Sequence, residues 1–310
     1  MKTAAVEIAD LTRSVLSVPP LCRRADFAID REQNIRLLAH LRAGGVSTFM
    51  YGGNANLYNM APSEFVRFSE LVQDIAQSGD WIIPSVGSDY GKAADQLAFL
   101  GGQPFPTAML LPHRFPATPS GIATGIRKLA EIYGKPLIAY VKDDGYVEAA
   151  DLGRLMADGA ICAIKYAIVR KDPAVDPFLD ELLNVVPRER VISGIGERPA
   201  IVHLRRFGLA AFTSGSVCVA PRLSTALLSA LQRGDDREAE RLRALFLPLE
   251  DLRDKLSPLR VLHAAVAAAG IADTGPLLPF LANIEAGPAL TAIEAEAHLQ
   301  VGDESFRNEH

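Results

Sequence analysis

The chain has 310 residues, 49% of them hydrophobic and 22% charged, with a formal net charge of −5. This balance suits a soluble globular fold and excludes a disordered one. The weak negative charge argues against a nucleic-acid groove or an anionic membrane surface as partner.

No apolar run approaches the ~18 residues a membrane span needs. Met1-Lys2-Thr3-Ala4 leads to Glu7, Asp10 and Arg13, which does not resemble a signal segment. Cys22, Cys162 and Cys218 lie far apart, which reads as buried thiols in a reducing cytoplasm. The six histidines show no ligand spacing, so no metal is expected.

Along the chain, short apolar runs alternate with longer stretches of helical period. A first strand is predicted at Ser14–Val18 and a helix near 31–43, closed by Gly44-Gly45. The second strand, Val46–Met50, leads to a helix near 63–77, where Phe65, Phe68, Val72 and Ile75 form one apolar stripe. Next come a strand at Trp81–Ser85, a helix near 92–100 and a strand at Thr107–Leu111. Thr118-Pro119 sets a cap and a first-turn proline before a helix near 119–133. The strand Leu137–Tyr140 precedes a helix near 147–158, and the strand Ala160–Lys165 a helix near 176–185, opened by Asp176-Pro177. Strands at Arg190–Ser193 and Ala210–Thr213, with helices near 199–207 and 221–233, complete eight β-then-α units.

Eight such units predict an α/β fold, a (β/α)8 TIM barrel. A doubly wound open sheet is the competitor. It would favour a glycine fingerprint after the first strand, where Val18-Pro19-Pro20-Leu21 stands instead. Helices are predicted over Asp235–Asp254, Pro258–Ala269 and 288–300. Residues 1–225 therefore read as the barrel. Residues 226–310 read as a C-terminal helical extension packed on it, with a fraying tail at Asp303–His310.

Such barrels keep their chemistry at the C-terminal ends of the strands. The sixth strand closes on Lys165 after an apolar run. A lysine there either becomes a desolvated, nucleophilic amine or snorkels its ammonium to water. Tyr140 ends the fifth strand, as a proton shuttle or as an aromatic cap on the core. Lys142 follows on the same face, and Asp143-Asp144 before Gly145 reads mostly as a turn. The second strand runs into Gly52-Gly53-Asn54-Ala55-Asn56, which suits close approach to an anion and equally a tight turn. The seventh and eighth strands end near Gly194 and Thr213.

Lys165, Tyr140 and the glycine turn together resemble the family of dihydrodipicolinate synthase and N-acetylneuraminate lyase. Ser193-Gly194, Ser257-Pro258-Leu259-Arg260 and Gly275-Pro276-Leu277-Leu278-Pro279 extend the resemblance over most of the chain, from Ser14 to Ile284. It implies a class I, Schiff-base lyase. Lys165 would form an imine with a 2-oxo acid, and Tyr140 would relay protons. Gly52, Gly53 and Asn54 would hold the substrate carboxylate, with Gly194 and Thr213 lining the pocket. The family's usual turn, Gly-Thr-Thr-Gly-Glu or Gly-Gly-Thr-Gly-Glu, has lost its threonine here. The tyrosine run after the fourth strand is replaced by Pro112-His113-Arg114-Phe115. No arginine matches the one the synthase carries after its strand-five tyrosine; Lys142 is the nearest cation.

The expected function is aldol cleavage or dehydration of a 2-keto-3-deoxy sugar acid or a similar 2-oxo acid, contacted also by His113 and Lys142. The alternatives are dihydrodipicolinate synthase itself and a catalytically silent barrel that binds a small anion. The implied enzyme is cytoplasmic and homotetrameric. It takes no cofactor or metal and has no nucleic-acid or membrane partner.

Overall fold

A computed structural model describes residues 1–306. After a short helix α1 (Ile8–Thr12) the chain alternates β1 (Leu16–Ser17), α2 (Arg31–Ala43), β2 (Thr48–Tyr51), α3 (Pro62–Asp74), β3 (Trp81–Val86), α4 (Tyr90–Gly101), β4 (Met109–Leu110) and α5 (Pro119–Tyr133). It continues through β5 (Leu137–Val141), α6 (Ala149–Ala157), β6 (Ile161–Tyr166), α7 (Pro177–Leu183), β7 (Val191–Ser193), α8 (Ala200–Arg205), β8 (Ala211–Ser214) and α9 (Pro221–Arg233). All eight expected strands are present, shifted at their ends by a few residues.

The strands are parallel and close into a ring, with β8 meeting β1 through Thr213 opposite Leu16 and Ser214 opposite Ser17. The protein is a (β/α)8 barrel, and the open doubly wound sheet is ruled out. Every residue of β2, β3 and β6 is buried, as a parallel sheet jacketed by helices requires. Phe65, Phe68 and Val72 turn the apolar stripe of α3 onto this sheet. Asp30, Thr118 and Asp176 accept backbone N–H bonds at the starts of α2, α5 and α7. These caps satisfy donors that have no partner within the helix.

Gly234, at φ +85°, ends α9 in the left-handed region, which a glycine adopts without steric cost. Residue 226 thus lies inside α9. Four helices follow: α10 (Asp236–Lys255), α11 (Pro258–Ala268), α12 (Pro288–Ala297) and α13 (Leu299–Phe306). Here the tail reading needs correction. Asp303 is fully buried and accepts from Leu223 N (2.8 Å) and Arg222 Nη1 (3.0 Å), so it caps the first turn of α9. The cap lies 80 residues away from its helix, beyond the reach of local pattern. Residues 304–306 of the expected fraying tail belong to α13, and 307–310 lie outside the described residues. Among the described residues, no helix is long and apolar enough to cross a membrane.

Candidate active site

At the C-terminal mouth of the barrel, a cavity of about 440 Å³ is lined by Tyr140, Lys142, Lys165, Gly194 and Thr213 from the strand ends, and by Gly53 and Asn54 from the β2 loop. β5 and β6 run in register so that Tyr140 lies opposite Lys165. The Lys165 Nζ sits 4.5 Å from the centroid of the Tyr140 ring. Gly194 leaves room for the lysine stem. A Cβ at 194 would lie 2.9 Å from Lys165 Cγ and 2.8 Å from Tyr166 O.

Lys165 is 5% exposed and has no carboxylate partner among the described residues. Burial, then the charges of Lys142 and Arg253, lower its pKa to about 7. An ammonium in that setting is disfavoured, so the free amine is available near neutrality. Attack on a carbonyl should therefore rise about tenfold per pH unit below that value and level off above it. Rates of borohydride trapping from pH 5 to pH 9 check this; a rise that continues toward the ordinary lysine pKa would contradict it.

Tyr140 is half-buried, and its phenol is pushed up to about 12, first by burial and then by Asp143. It stays protonated, a hydrogen-bond donor in the wall of the same cavity. Tyr58, from the β2 loop, shares the cavity; its ring carbon Cε2 would lie 3.7 Å from a Cβ at Gly53. Burial, then the neighbouring Tyr140, raises its pKa. Lys142 stands exposed at the rim, its pKa lowered by desolvation of the ammonium and then by Arg114.

The β2 loop is tied on several sides. Asn54 Nδ2 donates to Val18 O (2.9 Å), and Asn54 O lies 2.8 Å from His263 Nε2. A carbonyl only accepts, so that ring nitrogen is the donor; burial lowers the His263 pKa to about 4 and keeps the ring neutral. Asn56 takes the left-handed conformation (φ +54°), and its Oδ1 accepts from Asn59 Nδ2.

Two expected ligand residues fall elsewhere. Gly52 is turned into the barrel, where a Cβ would meet Met109 Cε at 2.9 Å and Ser85 Oγ at 3.1 Å. His113 lines a separate cavity of about 560 Å³ with Tyr90, Phe115 and Tyr146, its Nδ1 3.6 Å from Asp89. β4 ends at Leu110, so His113 lies well past the strand, on the side of α4 and α5. Arg114 is exposed and bonded to Asp143 (3.1 Å) and does not line the Lys165 cavity.

Sequence reading missed the contribution of α10. Glu250, Arg253 and Asp254 line the cavity. Glu250 Oε1 accepts from Arg253 Nη1 (2.5 Å) and from Ser216 Oγ. Behind it the buried Glu197 accepts from Ser214 Oγ (2.5 Å) and Ser224 Oγ (2.8 Å), and burial together with the Glu250 charge raises its pKa.

No family model matches the chain. A curated relative from Streptomyces coelicolor named "Probable 5-dehydro-4-deoxyglucarate dehydratase 2" is 27% identical over 271 residues, covering 83% of this chain and 80% of its own. A second from the same organism, "Probable 5-dehydro-4-deoxyglucarate dehydratase 1", is 23% identical over 69% of each chain. The crystal structure of dihydrodipicolinate synthase from Oceanobacillus iheyensis superposes with a TM-score of 0.82 at 20% identity, over 97% of this chain and 98% of that one. The chain is thus similar in sequence to these two dehydratases and in fold to the synthase. The curated relatives are named as dehydratases and not as the synthase. In this dihydrodipicolinate synthase-like barrel, the extension supplies part of the cavity wall.

Proposed function

We propose that the protein dehydrates a 2-keto-3-deoxy sugar acid through an imine on Lys165. The observation that carries this reading is the buried, unpaired Lys165 amine beside Tyr140 in a cavity open to a small molecule. The names of the two Streptomyces relatives support the substrate class.

The amine adds to the C2 ketone, and loss of water leaves a cationic imine. That positive charge makes a C3 proton acidic. Removal of the proton gives an enamine, which expels the C4 hydroxyl as water after protonation. Hydrolysis of the resulting unsaturated imine releases product and restores the lysine. In this reading Tyr140 carries protons at the first and last steps. The hydroxylated tail of such a substrate needs donors and acceptors along its length. Asn56, Asn59 and Lys142 offer them from the cavity wall.

Synthase activity is disfavoured because the two curated relatives are named as dehydratases. The reading includes a homotetrameric, cytoplasmic enzyme without a dissociable cofactor. The three buried thiols fit a reducing compartment. Phe115, 86% exposed beside the second cavity, offers apolar contact area to another subunit.

The test is an assay of the purified protein on a panel of keto-deoxy sugar acids, beside pyruvate plus aspartate semialdehyde. Water loss from a panel member, with a borohydride-trapped adduct on the peptide that contains Lys165, is the expected result. Turnover of the second mixture alone, or labelling of Lys142, would overturn the reading.

A further inference from the structure

Arg253 is a buried cation in the wall of the cavity, with 10% of its side chain exposed. Its Nη1 faces Glu250 Oε1 (2.5 Å) and Ser216 Oγ (3.3 Å). Its Nη2 has no hydrogen-bond partner among the described residues. That nitrogen lies against Gly215, just after β8, where a Cβ would sit 2.5 Å from Nη2 and 3.0 Å from Asn54 Nδ2. Asn54 spends one amide proton on Val18 O and has a second to offer. Two N–H donors from opposite ends of the sequence thus flank one point of the cavity wall.

We propose that Arg253, with Asn54 beside it, anchors the substrate carboxylate that adjoins the reacting ketone, and that Glu250 and Gly215 position it. The proposal rests on the reading of Lys165 as the imine-forming residue. A 2-oxo acid carries this carboxylate one bond from the carbon that Lys165 attacks, so both must be buried together. Arg253 and Lys165 are the two buried cations of the cavity, whereas Lys142 is exposed at the rim and suits the far end of the substrate. The guanidinium also presents a planar fork, which matches a carboxylate.

A purely structural role explains less. Glu250 already accepts from Ser216, and a buried ion pair adds little over apolar packing. An Nη2 with no partner among the described residues is free to donate to a bound anion.

The experiment compares wild type, Arg253→Lys and Arg253→Gln with two probes. Pyruvate carries the adjoining carboxylate and no other; methyl pyruvate keeps the ketone and loses the charge. Calorimetry gives Kd for pyruvate, and borohydride saturation gives the apparent affinity of each probe. Loss of a charge-assisted contact should weaken pyruvate roughly 10–100-fold. Methyl pyruvate trapping should stay within about twofold, since it never used that contact. Equal losses for both probes would make Arg253 structural. An unchanged Kd for pyruvate would remove it from this carboxylate. Arg253→Lys keeps a cation beside Glu250 and decides the matter should Arg253→Gln not fold. If wild type traps neither probe, the imine reading fails, while the calorimetric Kd still tests the anchor; no pyruvate binding by wild type would overturn it.

Discussion

Replacement of Lys165 by alanine is expected to lower turnover by about 10⁴-fold or more, the scale on which loss of a covalent nucleophile is felt. It should also abolish the borohydride adduct. No other lysine can take its place without rebuilding the site, because Lys142 lies at the rim while Lys165 reaches the cavity from within β6. A companion variant separates chemistry from architecture. Burial lowers the Lys165 pKa from 10.5 to about 7, so the unfolded chain binds more protons than the folded one between those values. The lysine is therefore a destabilising residue at neutral pH, and its cost shrinks as pH rises toward 10.5. Lys165→Met, similar in length and without charge, should be inactive yet melt at the same temperature or higher. A marked fall in Tm would mean that the amine holds the fold, and the catalytic assignment would lose its main support. Stability given up at a functional residue is a common trade.

The barrel was legible because its strands are short, apolar and separated by helices with strong local signals. Asp176-Pro177 and Thr118-Pro119 mark helix starts by chemistry that acts within one turn. That Lys165 and Tyr140 line the cavity was legible for a related reason: a polar group closing an apolar strand stands out, and the fold dictates which end of the strand faces the mouth. Arg253 and Glu250 were not. Three residues apart on a charged helix, they look like an ordinary surface pair, and only the way α10 packs back on the barrel buries them. The place of His113 is not legible, because it lies in the loop past β4, and only the path of that loop carries it to the α4–α5 side. Gly52 was misread because a glycine that faces the core and one that faces a ligand look alike in sequence. Helices α1 and α13 escaped notice because five and eight residues are too few to establish a period.

Tyr140→Phe is expected to lower kcat by about 10²–10⁴-fold, the usual contribution of a positioned general acid or base. The ring remains, so the face toward Lys165 and the packing around β5 should survive. Pyruvate should still bind with nearly unchanged Kd, and the adduct should still form, more slowly. What is lost is the phenolic proton. Its pKa near 12 makes Tyr140 a reluctant anion in the free protein, well suited to donate first to the oxygen leaving as water during imine formation. Once the imine carries a positive charge beside the ring, the phenolate becomes easier to form, and the same group can take the C3 proton. The informative measurement is exchange of the C3 protons of pyruvate in deuterated water. It should slow in Tyr140→Phe by the same factor as kcat, because exchange needs the proton transfer and not the later loss of hydroxide. Tyr58→Phe is the control, since Tyr58 is the second phenol of the cavity. Unchanged exchange in Tyr140→Phe with slowed exchange in Tyr58→Phe would move the relay to the β2 loop. Full activity in both would return Tyr140 to a packing role on the barrel rim and leave the proton transfers to water.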